Sequence, residues 1–515
     1  MRVCRWLVAT LLVLPRAATA SSAVEYPDNG PAQLSRGGAW LATASDPIAG
    51  YYNPAALATQ PSGVGLGLNV AMQKICFTRR GPGGGEIGPS PGLEATGATY
   101  AEACNTERAN VVPSLAGVWR ASEKLGVGLT ITPPSSYGRV LWPDLVSTDA
   151  RQAPIPAPQR YLSLEVQGTI LWPTLAVGYS ITEDVHVGAG FVAGIALLRL
   201  QSMSMGNVQQ TNPRDEFIND SKSLVEAKDL FIPGGVASVL VELSENLDVA
   251  AWFRASDAIR AKGDLEVVAG YYTQGGVRST QCTTAGQADC AQTTRSKEQV
   301  GEDGASVTLS IPMELRVGAR WHVPRAAASG LARERQRVDP HPTRDPLRDD
   351  VYDIELDLTW ANNSAADVAK IRFAEGINVL GAAGTVPTNA DRPTGYRDSY
   401  GARLGGQWNA LRDRAALRLG TWVETSAVPD DHLTVTGVPA LRGGVAGGLV
   451  FRVARTDLEL GYMRAWNAGL DNGGDGKLKA IAGSGSDDNR SYHAVNGGKV
   501  KQSAHVFSLG GVVRF

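Results

Sequence analysis

Asp353, Glu355, Asp357 and Thr359 recur at every second position, with Ile354, Leu356, Leu358 and Trp360 between them. Two is the side-chain period of a strand, so the acids share one face and the apolar residues the other. Arg254, Arg316 and Arg418 hold the polar parity of their own segments. Such residues can hold the carboxylate of a ligand, or pair with acids such as Glu314 and Glu424 on the same surface. Bond-making chemistry has less support. None of the histidines, His186, His322, His341, His432, His493 and His505, sits in a motif with a GxSxG-type nucleophile. Asp471-Asn-Gly-Gly-Asp475-Gly476 faintly resembles a calcium loop, but Ala482 stands where the bidentate glutamate belongs. No catalytic group, metal or cofactor is expected.

The face that carries those acids needs a wall, and the N-terminus says where the wall stands. Arg2 and Arg5 precede an apolar run, Leu7 to Leu14, and then the small-residue pattern Ala18-Thr19-Ala20. This reads as an export signal, 1–20, because the run is too short to span ~30 Å of hydrocarbon. Its removal takes Arg2, Arg5 and Arg16 and no acid, so the net charge moves from −2 to −5. No basic tract is interleaved with aromatics, and nucleic acid is not an expected partner. Past residue 20 no run of 18 apolar residues occurs. An exported chain of this kind can still cross a membrane as a closed barrel, in which every backbone group is paired.

Four cysteines follow the signal, and an even count in an oxidising compartment predicts disulfides. Local pairing, Cys76–Cys104 and Cys282–Cys290, is expected, each bridge within one loop. The spacings match no zinc site.

Fourteen segments carry strand-like alternation: 63–75, 110–121, 126–139, 161–180, 185–200, 232–243, 247–268, 306–321, 351–362, 398–409, 414–426, 441–453, 456–467 and 504–515. The stretch 247–267 holds one parity throughout. Leu247, Val249, Ala251, Phe253, Ile259, Leu265 and Val267 share a face, against Asp248, Arg254, Arg260, Lys262, Asp264 and Glu266. Segment 307–317 behaves alike, with Leu309, Ile311, Met313, Leu315 and Val317 on the apolar face. Tight turns such as Ser122-Glu123-Lys124 and Ser244-Glu245-Asn246 alternate with long loops at 76–108, 140–160, 202–230, 272–305, 376–397 and 469–502. Short turns at one end and long loops at the other, with an even strand number, are the pattern of an outer-membrane β-barrel. The fold expected is all-β: a fourteen-stranded antiparallel transmembrane barrel over 62–515, its acids facing a wet lumen. The Arg/Pro/Asp-rich connection 323–350 lies on the short-turn side and reads as a disordered periplasmic insertion or a partner-docking segment. The chain ends Phe507-Ser-Leu509-Gly-Gly-Val-Val513-Arg-Phe515, apolar residues alternating back from a terminal aromatic. That ending resembles the signal read by barrel assembly machinery, an expected partner along with outer-membrane lipid.

Residues 30–58, within an expected N-terminal segment 21–61, do not fit the strand pattern. They contain Arg36-Gly37-Gly38-Ala39, then Ala44-Ser45-Asp46, then Tyr52-Asn53-Pro54-Ala55. This segment resembles the N-terminal hatch of the FadL-like family of outer-membrane transporters for long-chain fatty acids and aromatic hydrocarbons. In that family a small-residue segment with an Asn-Pro-Ala motif plugs a fourteen-stranded barrel. The resemblance runs along nearly the whole mature chain. Val112-Pro113-Ser114, Glu123 to Gly128, Ile131 to Gly138, Leu309 to Pro312 and Glu424 to Asp430 fall in matching order. The chain departs from the family in its glycine-rich, Cys-bracketed first loop, its 323–350 insertion and its polar 202–230 loop.

The resemblance implies a hatch motif at Gly37, Gly38, Asp46, Asn53, Pro54 and Ala55. Asn53 can cap a helical turn that begins at Pro54, and Gly37 and Gly38 allow tight packing inside a lumen. It also implies a lateral opening at a kinked third strand, where Pro133 and Pro134, followed by Ser135, cannot donate ladder hydrogen bonds. The implied cycle is capture by loops 202–230 and 272–305, entry into an apolar pocket, a shift of the hatch and sideways exit. Passage through a wet pore would forfeit ~0.8 kcal/mol per CH₂ exposed. Leu224, Val225, Leu230 and Phe231 are candidate landing residues, or else strand-end packing; Arg254, Arg316 and Arg418 are candidate carboxylate contacts. A monomer is implied. A general diffusion porin, a structural or adhesive barrel and an outer-membrane lipid hydrolase are the competing readings.

Overall fold

The computed structural model describes residues 29–80, 101–106, 109–133, 138–147, 154–206, 217–284, 287, 289–296, 303–325, 343–381, 385–437, 439–481 and 490–515. The expected signal at 1–20 lies outside the described residues.

Fourteen antiparallel walls close into one barrel. They are β1 (Gly63–Arg79), β2 (Ala109–Arg120), β3 (Leu125–Thr132), β4 (Glu165–Ser180), β5 (Val185–Ser204) and β6 (Ser221–Ser244). Next come β7, in two pieces (Leu247–Ser256 and Ile259–Ala269), and β8, also in two (Ala305–Leu309 and Glu314–Pro324). The rest are β9 (Asp350–Ala361), β10 (Ser399–Leu411), β11 (Ala415–Glu424), β12 (Arg442–Val453), β13 (Thr456–Asn467) and β14 (Gly498–Arg514). β14 pairs with β1 from Gly63↔Arg514 to Arg79↔Gly498, so the sheet has no free edge there. Each segment expected from the sequence falls at least in part in one of these walls; 161–164 precede β4, and 126–139 runs past the end of β3 into residues outside the described ones.

The alternation works as expected on β9. Ile354, Leu356 and Leu358 point outward, 44–49% exposed, while Asp353, Glu355 and Asp357 are at most 2% exposed inside. Leu66, Leu129, Leu175, Leu404 and Leu460 extend the outward apolar surface to other walls. Only lipid makes such a surface stable.

On β7 the single parity expected over 247–267 does not survive. Below residue 257 the even residues point inward: Asp248, Trp252 and Arg254 are buried, and Phe253 is 39% exposed. Above it the odd residues do: Ile259, Ala261, Leu265 and Val267 are buried, while Arg260 and Lys262 are exposed. Asp257 and Ala258, outside the strand, make the switch. Neighbouring walls switch at corresponding places. On β6 the register shifts between Asp229 and Ile232; on β8 the break runs over 310–313, so Val307 faces inward and Val317 outward. The reason is solvent. Within hydrocarbon the outer face must be apolar; above it the outer face meets water, and apolar residues gain by turning inward. With a period of two, an irregularity in the strand is what swaps the faces.

The same effect corrects the polar loop expected at 202–230. β5 runs to Ser204 and β6 begins at Ser221, so both ends of that stretch, 202–204 and 221–230, are wall. Glu226 and Lys228 point out to water while Val225 and Ala227 point in. In the 323–350 connection, 326–342 lie outside the described residues. Its end is packed rather than disordered. Arg344 bonds Asp248, Asp345 pairs with Arg452 at 2.5 Å, and Leu347 is buried against Ala416 and Val450.

Candidate functional site

Residues 29–60 lie inside the barrel, nearly all of them buried. A short helix, Pro31–Ser35, is followed by Gly37 (φ 64°) and Gly38 (φ 87°), a left-handed pair that L side chains rarely adopt. A Cβ on Gly37 would also stand 2.8 Å from the Thr421 backbone nitrogen. The turn lets the chain reverse under the β9 acids. Arg36 Nη2 lies 2.6 Å from Asp353 Oδ1 and 3.3 Å from Glu355 Oε2. The amides of Trp40 and Leu41 donate to Asp357 at 2.9 and 3.1 Å, and those of Ala42 and Thr43 to Glu355 at 2.5 and 3.1 Å. The acids face the lumen as expected, but there they meet the Arg36 side chain and the backbone of 40–43.

Further along, Asp46 Oδ1 accepts from the Ile48 amide at 2.9 Å. Pro54 opens a 3-10 helix, Pro54–Thr59, as its position predicts. Asn53, expected to cap that helix, makes no capping bond; its Nδ2 donates to the Leu41 carbonyl at 2.7 Å. The amide of Ala55 finds Ser238 Oγ at 2.8 Å instead, so a barrel side chain replaces the cap. At Gly178 and Gly188 a Cβ would overlap the Pro54–Ala58 backbone, which explains their place in the wall.

The three inward arginines are engaged beside this segment. Arg254 Nη1 donates to Tyr51 Oη at 2.8 Å and lies 3.5 Å from Glu314. Arg316 Nε lies 2.8 Å from Glu314 Oε1, with its guanidinium over the Trp252 and Tyr52 rings. Arg418 pairs with Glu459 at 2.9 Å. All three carry acids of the barrel.

Above residues 29–60 a cavity of about 530 Å³ opens, within the range of ligand sites. Its apolar wall comes from the inverted halves of β6 and β8, with Val225, Val307 and Leu309, and from Ile371 and Phe373 beyond β9. Leu224 lies in a separate polar pocket with Arg199 and Lys222. Leu230 and Phe231 stand on the outside, each 61% exposed at the β6 irregularity. Tyr396 also lines the cavity, where burial pushes its hydroxyl up to about 12.

The cavity reaches the end of β3. β3 pairs with β4 as far as Thr132↔Trp172, and a short strand, Arg139–Leu141, pairs with β4 from Arg139↔Gln167, so the register between the two changes. Pro133 follows the end of β3; Pro134 and Ser135 lie outside the described residues. Asn29 Nδ2 donates to the Pro133 carbonyl and to Thr132 Oγ1, so the internal segment touches the end of β3. Asn110 and Gly138 line the cavity.

The bridges Cys76–Cys104 and Cys282–Cys290 both form. Among the described residues, the one trio offering ligand atoms within 4.8 Å of one another is Cys76, Glu102 and Cys104. Its two sulfurs are joined, which leaves no thiolate for a metal. Sequence parity missed Asn29, Ser238 and Arg392; only the positions of Asn29 before Gly30 and of Ser238 on an alternating strand carried any local signal.

The closed fourteen-stranded antiparallel barrel matches the FadL fold. The solved structures with this architecture include a FadL homologue of Pseudomonas aeruginosa, 14% identical, TM-score 0.64, covering 97% of this chain and all of that one. The toluene transporter TodX of Pseudomonas putida is 13% identical, TM-score 0.58, over 97% of this chain and 99% of that one. The toluene transporter TbuX of Ralstonia pickettii is 14% identical, TM-score 0.56, over 94% and 98%. No family model and no curated protein matches the chain by sequence.

Proposed function

We propose that this protein carries hydrophobic small molecules across the bacterial outer membrane, passively and without chemistry. After export by its leader, the barrel sits in the outer membrane as a monomer. Cargo enters the upper cavity from the external loops, residues 29–60 act as a hatch, and cargo leaves sideways between Thr132 and Gly138. The observation that supports this reading is that the apolar cavity is lined by Asn110 and Gly138, close to the end of β3 at Thr132 where the kinked strand is expected. A cavity that opens sideways delivers an apolar molecule to hydrocarbon rather than to water, which avoids the exposure cost per CH₂. The shared fold with proteins described as toluene transporters supports the same reading.

The test is uptake of labelled palmitate and labelled toluene by outer-membrane-bearing cells with and without the protein. Uptake of at least one should rise several-fold and fall back when N110C/G138C is crosslinked across the gap. Equal uptake with and without the protein, together with free ion conductance in bilayers, would overturn the reading in favour of a porin.

A further inference from the structure

Where β14 closes on β1, the outside of the barrel carries a cluster of cations. Register across β13, β14 and β1 sets Arg464 beside His505 and Met72, then Trp466 beside Ser503 and Lys74, then Lys501 beside Cys76. Register partners share one face of a sheet, and here it is the outer face: Met72 and Trp466 are 46–47% exposed. Lower on that face stand Leu68, Leu460 and Leu509, topped by Tyr462 and Phe507. Apolar residues capped by aromatics mark the edge of the hydrocarbon, so Arg464, Lys74 and Lys501 stand at the level of the lipid head groups, toward the long loops. Among the described residues none of these three forms an ion pair; Arg464 Nη1 donates to the neutral Ala504 carbonyl at 3.3 Å. Acids occur only further up this face, where Asp471 pairs with Lys499 at 3.3 Å and Glu102 lies against the Cys104 sulfur at 3.9 Å. The outer wall of β6 and β7 mixes signs instead. Arg260 pairs with Asp257 and Lys262 with Asp303 at 3.5 Å, while Lys228, opposite Lys262, has Glu226 and Asp264 two residues along. Like charges on neighbouring strands repel, and at Lys74 and Lys501 no acid of the described chain offsets them.

We propose that Lys74, Lys501 and Arg464 form a binding site for a lipid of the outer leaflet whose head group carries a phosphate monoester. Lys74 and Lys501 are diagonal neighbours across the β1–β14 ladder, about 7–8 Å apart at the backbone, a spacing that lets two ammonium groups hold one phosphate between them. Ser503, directly opposite Lys74, adds a hydroxyl donor, and Arg464 offers its planar fork from the other side. The acyl chains lie along Leu68, Leu460 and Leu509 below. A zwitterionic head group brings its own cation to the cluster and compensates it less. The site lies outside the barrel, so it is independent of the cargo and its route. It holds the lipid across the seam that closes the barrel, and a ligand bound only to the folded state stabilises that state.

The experiment is native mass spectrometry of the full-length protein in neutral detergent, titrated with dioleoyl phosphatidate or dioleoyl phosphatidylcholine, which share their chains and differ in the head group. Heat-modifiable gel migration reports folding of each variant. Wild type should retain phosphatidate more tightly than phosphatidylcholine and melt at a higher temperature with it. K74Q, K501Q and R464Q should each weaken phosphatidate binding about fivefold, and K74Q/K501Q about twentyfold, with phosphatidylcholine unchanged. K228Q/K262Q removes the same charge from β6 and β7 and should bind as wild type does. Excess inorganic phosphate, which lacks the chains, should not displace the lipid. If the double variant fails to fold, the single substitutions of exposed side chains carry the comparison. Equal wild-type affinity for the two lipids, unchanged phosphatidate binding in the cluster variants, or an equal loss in K228Q/K262Q would each overturn the site. Displacement by inorganic phosphate would assign the cluster to a free ion and overturn the lipid.

Discussion

Arg36 Nη2 stands 2.6 Å from Asp353 Oδ1, and neither side chain is exposed. The pair joins the internal segment to β9 across more than three hundred residues of chain. Around it Glu355 and Asp357 accept four backbone amides from residues 40–43. Carboxylates spaced at period two therefore act as a rail that holds the segment in the lumen.

Removing the cation from this rail should loosen it. Arg36→Met leaves Asp353 and Glu355 buried without their partner, a loss of about 3–5 kcal/mol for breaking such a pair. The expected result is a lower melting temperature and higher single-channel conductance in planar bilayers. Unchanged conductance would show that the segment does not plug the pore.

Gly188 lies where a side chain would overlap Ala55. Gly188→Val should therefore displace the 54–58 backbone while β5 still pairs with β4 and β6. Limited proteolysis should cut within residues 29–60 in the variant and spare them in the wild type. Equal protection would mean that the wall yields instead.

The inversion along β7 makes opposite expectations for two residues of like character. Phe253 points to lipid and Leu265 into the apolar interior of the barrel. Phe253→Arg should impair membrane assembly, at a cost of about 2–4 kcal/mol for a cation near the bilayer midplane. Leu265→Ser should assemble normally and bind hydrophobic ligands more weakly. Folding yields in vesicles, together with ligand binding, check both; similar assembly defects in the two variants would contradict the inversion.

At the loop end, Asp144 ties two long loops together. Arg278 bonds its carboxylate, Tyr271 Oη donates to it at 2.7 Å, and Tyr272 Oη donates to its carbonyl at 2.7 Å. Burial pushes the Asp144 carboxyl up, but the bonds from Arg278 and Tyr271 outweigh it and hold the group below the usual range. A depressed carboxyl contributes its stability above the unfolded value, about 3.9, and loses it as pH falls through the lower folded value. Hydrogen exchange over 270–280 should thus be slow at neutral pH and rise only below about pH 4. Asp144→Asn should exchange fast at every pH; a wild-type rise already near pH 6 would point to another group.

Much of the barrel was legible from residues alone. On β9, Ile354 and Asp353 give their faces away because a strand's period is local and needs no knowledge of its partners. The cysteine pairs were legible for the same reason, each joining residues near in the chain, although Cys76 stands on β1 rather than in the loop. β7 misled, because Leu265 and Phe253 keep the same sequence parity although Asp257 and Ala258 turn the strand over between them. Asn53 misled because its expected capping role passed to Ser238, a residue on β6 that only the closed barrel brings near.

By itself the sequence determined the number of walls, their order, the long and short ends and the inward placement of the β9 acids, since all of these follow from alternation and turn residues read a few positions at a time. The tertiary structure alone decided what the inward groups meet: Arg36 for Asp353 and Glu459 for Arg418. Those partners come from distant stretches of chain. They become neighbours only when closure of β14 on β1 fixes the lumen, where low polarity makes each pairing count.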